Sequence, residues 1–165
     1  MQTPQTGETA ANLKANLYET DFYAWTQQQS HLLRGNEWNQ LDLPNLIEEI
    51  EALGRKERQE LRNRLSVLIG HLLKWEFQSA KRSRSWLNTI RIQRLDTWEL
   101  LEENPSLQAY LQEILIKAYM KAIALAMGET NLPMKTFPSD CPYTIEQILS
   151  DRFYPGKATN DDLME

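Results

Sequence analysis

The stretch DLPNLIEEIEALGRKERQELRNRLSVLIGHLLKWEFQ, residues 42–78, decides the fold. Its apolar residues recur every three or four positions, which is the spacing of one face of an α-helix. Asp42 before Leu43-Pro44 predicts the helix start, because Asp caps a helix and Pro is tolerated in the first turn. We expect a long amphipathic helix to about Gln78, broken or bent at Gly54, since unbroken it would exceed about 50 Å. The stripe comprises Leu43, Leu46, Ile47, Ile50, Leu53, Glu57, Leu61, Leu65, Leu68, Leu72 and Trp75.

Three further helices are predicted around this one. The first lies between residue 21 and Gly35, and another runs over residues 83–103, capped by a serine. The last begins at Asn104-Pro105 and ends at Met127, with Gly128 following it as the usual residue after a helix end. Because residues 114–127 are apolar almost all round, we expect this last helix to be central.

Prolines at positions 133, 138, 142 and 155 exclude a long helix after Gly128. Residues 144–149 suit one short capped helix, and the aromatic residues of this segment predict a strap that wraps the bundle. The prediction is therefore an all-α bundle of about four helices with a Pro-rich C-terminal strap. Its expected domains are a flexible arm over residues 1–17, one helical domain over 18–155, and a flexible acidic tail over 156–165.

Composition places the chain among ordinary globular proteins. It has 165 residues, 41% of them hydrophobic, and a net charge of −5. The longest apolar run, residues 122–127, is far shorter than the roughly 20 residues needed to span a bilayer, so no membrane association is expected. One cysteine, Cys141, excludes an internal disulfide and favours a reducing compartment, which predicts a cytoplasmic protein.

Charge is divided into blocks along the chain. Residues 55–94 carry eleven Lys/Arg and three Glu, a balance of +8, between segments of −6 and −7. Opposite blocks attract one another in a folded chain, so we expect the basic middle to be neutralised by its acidic flanks. The alternative is a basic face that binds an outside partner.

Several short motifs resemble a bacterial family known as domain of unknown function 29. They are LIEEIEALG at residues 46–54, HLLKW at 71–75, and Ser85-Trp86 followed by Arg94. The segments YETDFYAW at 18–25 and NPSL at 104–107, and the proline-containing segment 137–143, are similar as well. The resemblance covers about residues 18–155. It implies a helical fold and no established activity, so no catalytic residue follows from it.

Two charged residues fall on apolar stripes and form the first candidate site. Glu57 lies between Leu53 and Leu61, and Arg91 stands between Leu87 and Leu95 on the third helix. A buried charge needs a partner, so we expect Glu57 and Arg91 to pair. Such a pair would fix the register of two helices, unless these two positions are stripe edges that reach solvent. With His71 the pair would instead form a polar cluster that binds a small ligand.

Metal and covalent chemistry are weakly indicated. The two histidines, His31 and His71, have no carboxylate at metal-binding spacing, and the Glu-x-x-His motif of di-iron bundles is absent from the sequence. Cys141 has no histidine near it in sequence, and no nucleophile elbow occurs. We therefore predict no catalytic residue, no metal and no cofactor.

A basic strip over residues 81–94 is the second candidate site. Its fourteen residues contain no acid, and Trp86 lies among its cations. Arginines with an aromatic neighbour are typical of nucleic-acid binding. Candidate phosphate-binding residues are Lys81, Arg82, Arg84 and Arg94; intramolecular neutralisation is the favoured alternative for them.

We interpret the sequence as a small cytoplasmic helical module for interaction or regulation, with an unknown protein partner or with self-association. Trp38, in a connection between helices, is the expected surface anchor. Two alternatives stay open. One is a small-molecule or metal-dependent enzyme with a pocket near His71, Glu57 and Arg91. The other is a nucleic-acid-associated regulator that uses the basic strip.

Overall fold

A computed structural model describes residues 17–158. From residue 21 onward its helices are α1 (Phe22–Arg34), α2 (Leu43–Phe77), α3 (Arg84–Glu103), α4 (Leu111–Thr130) and α5 (Ile145–Leu149). Short 3₁₀ turns occupy Trp38–Gln40, Ser79–Lys81, Pro105–Tyr110 and Met134–Thr136. The described residues contain no strand, and the all-α prediction is confirmed. The predicted arm falls almost entirely outside the described residues, as does most of the predicted tail.

The helix starts follow the predicted capping residues. The Asp21 side chain accepts a hydrogen bond from the Ala24 N–H at 2.9 Å, and Ser83 caps α3 by accepting one from the Trp86 N–H at 3.3 Å. Thr144 and Gln147 form a reciprocal capping box on α5. Three of the predicted starts are therefore confirmed with their local chemistry.

The expected break in α2 is wrong. The helix continues through Gly54 for 35 residues, and a Cβ atom at Gly54 would have no neighbour within 4 Å. A glycine in a helix costs only about 1 kcal/mol relative to alanine, which the rest of the helix can absorb.

The predicted end of α4 is also wrong. Gly128 is helical, and the helix ends at Thr130. Its C-cap residue, Asn131, has a φ of 57°, which lies in the left-handed region. Asparagine adopts that conformation more readily than most residues. Only one face of α4 is buried, because Ile116 and Met120 are 70% and 74% exposed. Its expected central position is therefore not observed.

The chain divides into two compact units, residues 1–55 and 56–165, and the division falls inside α2. The apolar core of the second unit is formed by α2 from Leu61 onward, by α3 and α4, and by the strap after α4. The strap prediction is confirmed: Phe137 and Tyr143 are buried, and Phe153 and Tyr154 pack against the core. One domain over residues 18–155 stays a prediction.

The described part of the first unit has a smaller interior. Trp25 is 2% exposed, and its indole N–H donates to the Asp42 carboxylate at 3.0 Å. Gln29, also buried, accepts from the Asp42 N–H at 2.8 Å. Asp42 therefore ties α1 to the start of α2, a role that its prediction as a cap did not include.

Candidate functional site

The predicted cluster of Glu57, His71 and Arg91 is not assembled. Glu57 and Arg91 are both exposed, whereas His71 is buried. Glu57 and His71 lie fourteen residues apart on the same helix, or about 21 Å along its axis. Glu57 and Arg91 are therefore not a buried pair, and Glu57 and His71 are too far apart to line one pocket. A direct contact between Glu57 and Arg91 stays a prediction.

The reason is the face of α3 that packs on the core. The expected face ran from Leu87 through Arg91 to Leu95, but Arg91 is exposed and Leu95 is 67% exposed. The buried face runs instead through Leu87, Ile90, Arg94, Thr97 and Leu101. Both faces fit a helical spacing, and the face that packs on the core carries Arg94 in place of Arg91.

Arg94 is fully buried and binds the strap. Its Nε donates to the Ile148 carbonyl at 2.9 Å and its Nη2 donates to the Phe153 carbonyl at 2.6 Å. The guanidinium also lies over the Tyr154 ring, 5.0 Å from its centroid. Burial lowers the pKa of Arg94 from its ordinary value, but an arginine stays charged in proteins. Arg94 is therefore a structural clamp.

Arg82 acts in the same way at the end of the strap. Its Nε donates to the Trp75 carbonyl at 2.8 Å and its Nη1 donates to the Lys157 carbonyl at 2.7 Å. Lys81 and Arg84 are exposed. Two of the four candidate phosphate-binding residues thus bind main-chain carbonyls, and phosphate binding by the strip stays a prediction.

Lys74 is the most buried lysine of residues 17–158, and the sequence analysis did not identify it as a candidate. It is 1% exposed, forms an ion pair with Glu129, and lies 4.3 Å from the centroid of the Trp86 ring. The signal in the sequence was its position within the apolar run 72–75, where a charge requires a partner.

His71 precedes Lys74 by one turn and is 8% exposed. Its Nδ1 lies 3.0 Å from the Val67 carbonyl, which assigns the proton to Nδ1 in the neutral ring. Burial lowers its pKa, and the charge of Lys74 adds to this, whereas the Val67 hydrogen bond and Glu129 act in the opposite direction. His31 is exposed on α1. Within residues 17–158, no group of three or more His, Cys, Asp or Glu side chains could hold a metal ion.

We predict that acidification destabilises the wild-type protein partly through His71. Because its folded pKa is lowered, the unfolded chain binds the proton first, and stability falls as pH drops below the ordinary value of 6.5. The slope contributed by one such group has an upper limit of about 1.4 kcal/mol per pH unit. Urea unfolding at pH 7.5, 6.5 and 5.5 should show a shallower decline for His71→Gln. His31→Gln is the control, and identical slopes for His71→Gln and wild type would contradict the prediction.

An apolar groove on the second unit lies between α4 and the strap. Its cavity volume is about 540 Å³, and its walls include Ile116, Tyr119, Met120, Ile123, Met134 and Cys141. Two polar residues, Ser139 and Asp140, also line it. An apolar cavity of this size with a few polar groups is typical of ligand sites. Neither the candidate cluster nor the basic strip lies in it.

Tyr119 and Cys141 show the environment of the groove. The Tyr119 hydroxyl donates to the Pro138 carbonyl at 2.7 Å. Burial, with the nearby Cys141, Asp140 and Glu76, raises the pKa of Tyr119 to about 12. Burial also raises the pKa of the Cys141 thiol. Burial therefore keeps both the Tyr119 hydroxyl and the Cys141 thiol protonated at neutral pH, and Asp140 is the charged residue of the lining.

The first unit carries an exposed apolar surface, here called the α2 face. It consists of Leu43, Ile47, Ile50 and Leu53, which are 53%, 56%, 66% and 61% exposed. Their spacing of four, three and three residues places them along one side of the helix. The predicted stripe is therefore correct as a pattern, but its first half does not enter a core.

The surroundings of the α2 face are acidic. Residues 17–54 contain seven Asp or Glu and one Arg. Glu48, Glu49 and Glu51 lie on the same three turns, and Glu49 accepts a hydrogen bond from the Tyr18 hydroxyl at 2.6 Å, which raises the pKa of Tyr18 to about 12. Trp38, the predicted anchor, is 58% exposed in the preceding turn.

Comparison with known proteins identifies the family. The family model described as "Domain of unknown function DUF29" matches residues 17–154, so the chain belongs to this family. No curated protein and no solved structure matches the chain significantly. Within residues 17–158, no helix combines the length and the apolar character needed to cross a bilayer. No activity follows from the family, and its function is not established.

Proposed function

We propose that this protein is an interaction module whose α2 face binds an amphipathic helix of a partner protein. The observation that carries the proposal is the exposure of Leu43, Ile47, Ile50 and Leu53 in succession along one side of α2. Single exposed apolar residues are common, but a row of four over three helical turns is typical of a docking surface for another helix. The single cysteine supports a cytoplasmic location as part of the same proposal.

The acidic residues around the α2 face indicate which kind of partner helix it binds. The α2 face stands in a segment with seven acids and one base, so a helix with Lys or Arg beside its apolar stripe gains attraction at both edges. A helix with acidic edges would be repelled. Such charges change specificity and association rate more than they change the apolar contribution to affinity.

Two synthetic peptides test this choice. Both have the same leucine stripe over four turns, and one carries lysines and the other glutamates beside it. Calorimetry at low salt should show at least tenfold tighter binding of the lysine peptide. The difference should shrink as salt rises to about 0.3 M, because the Debye length falls below 10 Å. Equal affinity of the two peptides would contradict the charge argument.

Substitutions locate the surface. Ile47→Ser and Ile50→Ser should each weaken the lysine peptide at least tenfold without lowering stability, because both side chains are exposed. Ile92→Ser and Leu95→Ser are matched controls, since they remove equally exposed side chains from α3. Similar losses in the α3 variants would exclude the α2 face as the binding surface. A wild-type dimer that becomes monomeric with Ile47→Ser would instead identify a second copy as the occupant.

A further inference from the structure

The groove beside α4 has no role in the proposed protein binding, which uses the other unit. We propose that it binds a small cationic amphiphile, with an apolar body inside the cavity and an ammonium or guanidinium group at Asp140. The volume of about 540 Å³ lies within the range of small-molecule sites. This volume is larger than one side chain of a partner protein would fill, which favours a small molecule as the occupant of the groove.

The apolar walls define the body of the ligand. Ile116, Met120 and Met134 line the cavity and are 70%, 74% and 65% exposed. Covering these three side chains removes apolar surface from water at about 25 cal/mol per Å². Methionine side chains adapt to ligands of different shapes. The walls therefore do not require one shape, and they accept a flexible aliphatic or an aromatic group as the apolar part of the ligand.

Asp140 defines the polar end. It is the charged residue in the lining of the groove, and the Ser139 hydroxyl donates to its Oδ2 at 3.1 Å. The charges of Asp140 and Glu76 both act on Tyr119 in the wall. A cationic group here gains a charge-assisted hydrogen bond, whereas the carboxylate of a fatty acid would meet a second carboxylate.

Methionine NMR tests the site directly. The chain has five methionines; Met120 and Met134 line the groove, and Met127 lies on α4 outside its lining. With ε-[¹³C]methionine, octylammonium should shift the Met120 and Met134 methyl signals and leave Met127 unchanged. Octanol should bind more weakly, and octanoate at least tenfold more weakly than octylammonium. These three probes have the same chain length and differ only in the head group.

Cys141 supplies a second measurement, because it lines the groove and is the only cysteine in the chain. Saturating octylammonium should slow its alkylation by a maleimide at least threefold. Asp140→Asn should bring the dissociation constants of octylammonium and octanol within about twofold of each other. Met120→Gln, at an exposed position, should weaken both probes.

Three results would overturn the proposal. One is the absence of Met120 and Met134 shifts at millimolar octylammonium, and another is equal binding of octylammonium and octanoate. The third is a parallel shift of Met127, which would indicate general detergent action. Failure of the peptide experiment leaves this test unaffected, because the two use different residues and different probes.

Discussion

Arg94→Met should lower the free energy of unfolding by about 3 kcal/mol. The substitution keeps much of the volume but removes the donors for the Ile148 and Phe153 carbonyls. A hydrogen bond to a charged group contributes about 1.5–3 kcal/mol. Part of the loss is offset because the variant no longer incurs the cost of burying a charged guanidinium. Urea unfolding should measure the change, and trypsin should cleave faster near Arg152 as the strap loosens.

Arg91→Met is the matched control, since it makes the same change one turn earlier on α3 at an exposed position. Exposed charges contribute about 0–1 kcal/mol, so the control should stay close to wild type. Arg94→Lys should recover only part of the loss, because one ammonium cannot reproduce the forked geometry of a guanidinium. A stable Arg94→Met variant with an intact strap would show that packing alone holds these residues.

The contrast between Arg91 and Arg94 shows which part of the packing could not be predicted from the sequence. Local signals specified the helices well, because capping by Asp21, Ser83 and Thr144 depends on neighbouring atoms only. The side of α3 that packs on the core depends on elements far away in sequence. The partners of Arg94 are main-chain carbonyls of the strap. Every residue has such a carbonyl, so no sequence pattern predicts which ones Arg94 binds.

The α2 stripe shows a related limit. Periodicity identified the apolar residues that share one side of α2, but it could not tell the part of that side that is buried from the part that is exposed. Leu61 is fully buried, whereas Ile50, eleven residues earlier on the same helix, is 66% exposed. The groove beside α4 was beyond prediction for the same reason, since Met120 and Cys141 meet only through the path of the strap.

Gly70→Leu should destabilise the protein by about 3 kcal/mol. Among the glycines that the structure describes, Gly70 of α2 is the one where an added Cβ atom would lie closest to a neighbouring atom, and that atom belongs to α4. A Cβ atom there would lie 2.8 Å from Leu125 Cδ2 and 3.3 Å from the Ala122 carbonyl oxygen. The leucine tip can rotate, but the carbonyl belongs to the helix backbone and moves only with α4. A side chain of four carbons therefore forces the helices apart, and overpacking of this kind costs about 1–3 kcal/mol or more.

Gly128→Leu is the matched control, because it makes the same substitution on α4 where a Cβ atom would have no neighbour within 4 Å. It should raise stability by about 0.5 kcal/mol, since leucine is a better helix former than glycine. Adding Leu125→Ala to Gly70→Leu should recover part of the loss, so the two changes should be non-additive in thermal or urea unfolding. If Gly70→Leu were as stable as Gly128→Leu, the close approach of α2 and α4 could not be what requires glycine at this position.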